Sequence, residues 1–105
     1  EKRFSVYVIE LERKVLGRPK FVKANPNHDL TKACFYIGMT SKTLAARFKD
    51  HKENRKANKY ACCYGLRLCT ALCQHYNPMT YDRAVKKEMQ LADRLRKKGH
   101  AVWQK

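Results

Sequence analysis

The chain has 105 residues, room for one domain with a modest core. Its 24 Lys and Arg against 9 Asp and Glu leave a formal net charge of +15, which points to a polyanionic partner, nucleic acid foremost. No stretch approaches the roughly 18 consecutive apolar residues of a membrane span, and the start Glu1-Lys2-Arg3 has no signal-peptide pattern and no methionine, as in a trimmed fragment.

Residues 4–11, FSVYVIEL, are rich in β-branched and aromatic types and predict a first strand. Two-residue alternation puts Tyr7 on one face with Ser5, Ile9 and Leu11. Residues 12–32 carry Gly17, Pro19, Pro26 and many lysines, and predict a long polar, basic connection, with room for a short strand over 20–23. A second strand is predicted over 33–38, ending on Gly38.

Thr40 or Ser41 offers an N-cap for a helix over 42–54, with Leu44, Phe48 and His51 on one face and Arg47 one turn before His51. Residues 55–65 are polar, then cysteine-rich, and break at Gly65. A third strand is predicted over 66–72, followed by a turn at HYNPM. The last helix is bounded by Thr80 as cap and Gly99 at C′. Its apolar stripe is Tyr81, Ala84, Val85, Leu91, Ala92 and Leu95, and the position that completes the stripe, 88, is glutamate. HAVWQ closes the chain as a short extended segment.

Five cysteines, Cys34, Cys62, Cys63, Cys69 and Cys73, are an odd number without a secretory signal. They argue against a disulfide framework and for the cytoplasm or another reducing intracellular compartment. Four of them with His75 raise a zinc-stabilised interaction domain as one reading, although the spacing fits no common zinc pattern. Core packing as small apolar residues is the other.

Three features ask for chemistry. Glu88 sits in an apolar stripe, either as an ion-pair partner, with Arg47 a candidate, or as a ligand of a hard divalent cation. Arg47 and His51 stand beside a buried stripe, where one suits phosphate and the other proton transfer. Tyr7 and Tyr36 are either packing residues or part of the same site.

In this order the residues resemble the GIY-YIG nuclease family. Val6-Tyr7 stands where that family has Ile-Tyr, with Ser5 in place of the first glycine, and Tyr36-Ile37-Gly38 matches the second motif in full. Arg47, His51 and Glu88 fall where the family has its helix arginine, its histidine one turn later and its metal-binding glutamate. The resemblance implies a single α+β domain over 1–105, a small three-stranded antiparallel sheet flanked by helices, with residues 12–32 as a basic insertion between the two motif strands.

It also implies a divalent-metal-dependent endonuclease acting on DNA, or an inactive nucleic-acid-binding module of the same fold. Tyr7 would be the general base, through a lowered pKa or with help from His51, and Tyr36 would orient water or phosphate. Arg47 would clamp the phosphate, and Glu88 would hold Mg²⁺ or Mn²⁺. Gly38 would end its strand and turn the backbone near the site. No asparagine follows Glu88, so either Gln104 or His100 stands in for the one some members carry, or that role is absent. Arg13, Lys14, Arg18, Lys20 and Lys23 of the insertion would contact nucleic acid.

Overall fold

A computed structural model describes residues 3–53 and 58–104. The fold is α+β, with a four-stranded mixed sheet in the order β3-β1-β2-β4. β1 (Ser5–Leu11) and β2 (Cys34–Thr40) pair antiparallel over seven residues, from Ser5↔Thr40 to Leu11↔Cys34. β3 (Gly65–Leu68) is antiparallel to the other edge of β1. β4 (Ala101–Gln104) is parallel to β2, from Cys34↔Ala101 to Ile37↔Gln104. The three-stranded antiparallel expectation is therefore corrected: the terminal extended segment is a fourth strand and makes the sheet mixed. A parallel strand needs a crossover, and the long helix α4 (Tyr81–Lys97) provides it.

Both sheet faces are buried, as alternation along β1 requires. Val6 and Val8 join Ile37, Ala84, Leu91 and Leu95 beneath α4. Tyr7, Ile9 and Leu11 join Tyr36, Phe21, Tyr60 and Ala61 on the opposite face. Helices α2 (Leu44–Lys52) and α3 (Lys59–Tyr64) lie on that second face. Among the described residues no helix is long and apolar enough to cross a membrane.

α4 is bounded as its sequence signals. Thr80 Oγ1 accepts from the Arg83 amide at 3.3 Å. At the other end Gly99 has φ +96°, its amide donates to Arg96 and the His100 amide to Leu95, the Schellman pattern. α2 starts two residues later than expected, because Thr43 rather than Thr40 or Ser41 supplies the cap, and accepts from the Ala46 amide. Residue 54, the expected end of that helix, lies outside the described residues, as do 55–57.

The connection 12–32 carries helical turns and buried residues rather than being polar throughout. A 3-10 turn (Arg13–Gly17) and helix α1 (Pro19–Lys23) replace the short strand expected over 20–23. Val15 and Phe21 are fully buried in the second-face core. Asn25 locks the segment down: its Oδ1 accepts from the Val102 amide at 2.8 Å and from Arg96 Nε at 3.0 Å, and its Nδ2 donates to the Phe21 carbonyl. The third strand is shorter than 66–72, because the chain passes into 3-10 turns at Thr70–Leu72 and Gln74–Tyr76.

Candidate active site

Tyr7 and Tyr36 share a sheet face because Tyr7 is paired with Gly38, two residues beyond Tyr36. Both are fully buried. An added Cβ at Gly38 would lie 2.5 Å from the Tyr7 hydroxyl and 2.6 Å from Cζ, so the Tyr7 ring leans across β2 into space only glycine leaves open. This corrects the role expected of Gly38. The strand does not end there but runs on to Thr40, and the glycine makes room for a tyrosine from the neighbouring strand.

α2 brings Arg47 and His51 over these rings. His51 is fully buried, with its ring centroid 5.6 Å from Tyr7 and 5.4 Å from Tyr36. Its Nε2 lies 2.7 Å from the Tyr7 hydroxyl oxygen. Its Nδ1 faces the Asn58 amide at 3.3 Å. An amide N–H only donates, so Nδ1 carries no proton in the neutral ring and Nε2–H donates to Tyr7. His28 and His100 are held the other way, Nδ1–H donating to the carbonyls of Asn25 at 2.8 Å and Ala33 at 3.0 Å. Nitrogen-detected NMR at neutral pH should show the Nε2–H tautomer at His51 and the Nδ1–H tautomer at His28 and His100. An Nδ1–H ring at His51 would contradict the arrangement.

The electrostatics of Tyr7 follow from its surroundings. Burial pushes its pKa up. Arg47 and the Tyr36 hydroxyl, both within hydrogen-bonding reach, pull it down, and the Glu88 charge pushes it up again. Burial wins, so the lowered pKa expected of Tyr7 is corrected to a raised one. Tyr36 is held further above the ordinary tyrosine value, by burial first and then by Tyr7 and Glu88.

Glu88 comes from the other face of the sheet. It is 6% exposed and lines, with Thr40, Ser41, Lys42, Arg47 and Gln104, a cleft of about 540 Å³. The described part of β4 accompanies β2 only to Ile37↔Gln104. Side chains of α2 and α4, which lie on opposite faces, line the same cleft, and the charge of Glu88 reaches both tyrosines. Asp50 ties the basic wall together: its Oδ2 accepts from Lys42 Nζ at 2.5 Å and stands 3.8 Å from Arg47 Nη1. Arg47 and Glu88 thus line the cleft, while Tyr7, Tyr36 and His51 form a buried cluster that does not line it but is reached by Arg47 and by the Glu88 charge.

Other expectations separate. Gln104 lines this cleft, whereas His100 lines a different pocket, beside Asn25 and Arg96. The insertion leaves and rejoins the sheet at Leu11 and Cys34, the far end of the β1–β2 ladder. That is roughly 20 Å from Thr40 at 3.3–3.4 Å per residue. Arg13, Lys14, Arg18, Lys20 and Lys23 do not line the cleft; Arg18 lies over the Tyr64 ring instead. The five cysteines are free thiols, Cys34 and Cys73 buried in cores on opposite faces and Cys63 exposed. Among the described residues no group of three or more His, Cys, Asp or Glu is placed to hold a metal ion, so the cysteine cluster with His75 does not assemble a zinc site. Burial raises the pKa of Cys34, Cys69 and Cys73, as for packing residues.

Two positioning residues escaped the sequence reading. Asn58 orients His51 and also caps α3, accepting from the Tyr60 and Ala61 amides. Asp50, three residues after Arg47, was legible as a helix neighbour. Comparison with protein-family models, with curated proteins and with solved structures finds no match for this chain.

Proposed function

We propose that the chain is a divalent-metal-dependent endonuclease of the GIY-YIG type, hydrolysing DNA phosphodiester bonds. One observation carries the reading: a buried Tyr–Tyr–His cluster is joined through Arg47 to a cleft that has this arginine and a nearly buried glutamate on its wall. Arg47 clamps a non-bridging phosphate oxygen. Tyr7 is a neutral phenol by its raised pKa, so it must first give up its proton before it can take one from the attacking water; His51 Nε2–H, Tyr36 and Arg47 favour the phenolate that results, against burial and the Glu88 charge.

Glu88 suits Mg²⁺ or Mn²⁺ better than zinc, because such ions bind through one or two carboxylates and fill the remaining positions with water and phosphate oxygens. When bound, the ion supplies positive charge for the leaving oxygen. Neutralising Glu88 also removes one of the causes that hold the Tyr7 pKa up.

A binding module of the same fold without activity is the second reading, favoured by the full burial of Tyr7. Duplex, single-stranded and branched DNA, each with Mg²⁺, Mn²⁺ or EDTA, separate the two. The nuclease reading expects cleavage with metal and none in EDTA. Binding without cleavage under every metal leaves the module.

The +15 charge makes affinity salt-dependent, since each neutralised phosphate contributes a slope of about −0.9 in log affinity against log salt on duplex DNA. Two basic surfaces compete for this role. One is the insertion's Arg13, Lys14, Arg18, Lys20 and Lys23. The other is the α4 ridge of Arg83, Lys86, Lys87, Arg94 and Lys97, which runs along the helix that carries Glu88. Neutralising Lys86 and Lys87 together is expected to flatten the slope by up to about 2. A salt-insensitive affinity of the unaltered protein would point away from nucleic acid.

A further inference from the structure

The cleft that holds Arg47 and Glu88 has a second wall of opposite character. Tyr81, Val85 and Met89 recur at i, i+4 and i+8 on α4 and all border it. Tyr81 is 56% exposed and Met89 57%, two of the four large apolar side chains the described surface exposes. The sequence stripe placed Tyr81 in the core; the structure puts it on the rim, because the helix turns Ala84, Glu88, Leu91 and Leu95 inward instead.

Tyr81 is also braced. Phe4 meets it edge to face, with ring centroids 5.3 Å apart. Phe4 is held in turn by paired backbone hydrogen bonds to Met79, 2.9 and 2.7 Å long. A T-shaped contact uses at most one face of the Tyr81 ring, and the rest of the side chain stays open to the cleft. One wall therefore offers cations to a phosphate, and the other offers a rigid aromatic and a polarizable thioether to something flat and apolar.

From this juxtaposition we infer that the cleft takes a DNA strand with an unpaired nucleotide beside the bound phosphate, its base stacked on Tyr81 and Met89. The inference rests on the nuclease reading for the site, and names its substrate class. In an intact duplex the base faces are covered by their neighbours, and only edges and backbone are presented. The apolar wall would then have nothing to bind. An unstacked base has a free π-face, and aromatic side chains bind such faces regardless of sequence. The volume of about 540 Å³ lies within the ~300–1,000 Å³ of clefts that enclose small ligands.

The test is binding in EDTA, where cleavage plays no part, using DNA of equal length that is flush duplex, gapped or single-stranded and carries a fluorescent base analogue at the unpaired position. Unaltered protein is expected to prefer the gapped and single-stranded forms and to quench the analogue. Tyr81→Ala should weaken binding to these forms by about fivefold to 150-fold, which is the ~1–3 kcal/mol of one stacked base. It should leave duplex binding within about twofold, and Tyr81→Trp should restore the preference. A thermal melt of each variant checks the fold at this exposed position. Equal loss on all three DNAs, no loss on any, or no DNA binding at all would overturn the inference. A Tyr81-dependent preference without cleavage in any metal would retain it and remove the nuclease reading. Cleavage that ignores Tyr81 would do the reverse.

Discussion

Gly38→Ala is expected to damage stability and cleavage together, although it adds a single methyl group. The new Cβ would stand 2.5 Å from the Tyr7 hydroxyl, 2.6 Å from Cζ and 3.1 Å from Cε1, closer than nonbonded atoms approach. Tyr7 cannot swing away freely, because its ring is enclosed by Tyr36 and His51 and is fully buried. Overpacking of this kind costs about 1–3 kcal/mol. In a domain of this size each kcal/mol lowers the melting temperature by about 4–8 °C.

Any shift of the ring also breaks the 2.7 Å contact with His51. A misplacement near 1 Å costs about 100-fold in rate. Thermal melts and single-turnover cleavage read the two effects. A Tyr7→Leu background supplies the control, since adding Gly38→Ala there should cost much less stability, a non-additivity of about 0.5–3 kcal/mol for residues in contact. Additive losses would mean that the alanine is felt by the β2 backbone and not by Tyr7.

The same glycine marks the limit of what was legible in the chain. β1 and β2 were readable because short apolar runs of β-branched and aromatic residues are local signals. So was α4, whose two caps bracket it in sequence. The constraint on Gly38 lies across the ladder, in a residue 31 positions away, and no local pattern encodes it. β4 was visible as extended chain, but its parallel pairing with β2 is a long-range choice made by the α4 crossover. The segment 12–32 read as a polar connection because single buried residues, Val15, Phe21 and Asn25, hold it, too sparse to give a period. Tyr81 was misplaced because a helical stripe is wide enough to include the rim as well as the core. Tyr7, Tyr36, Arg47, His51 and Glu88 were legible as candidates in order and type, and the structure adds what sequence order could not: the tautomer of His51, the raised pKa of Tyr7, and the distance that separates the insertion's cations from the cleft.

Glu88→Gln is the most direct test of the central claim that this cleft is a metal-dependent hydrolytic site. The substitution keeps shape and removes charge. Arg47 retains Asp50 as a neighbouring carboxylate, 3.8 Å from its Nη1. Losing the Glu88 charge therefore does not strip that cation of negative charge nearby, and the melt should change by less than about 1 kcal/mol. DNA affinity in EDTA should hold or rise slightly, because a negative charge beside the bound phosphate has gone. Cleavage in Mg²⁺ or Mn²⁺ should fall by at least about 100- to 1,000-fold, the loss typical of removing one transition-state charge stabiliser. The account predicts this combination of an intact fold, intact binding and lost cleavage. Undiminished cleavage would contradict it, and so would a destabilisation of about 3–5 kcal/mol, which would mark Glu88 as one half of a buried structural ion pair.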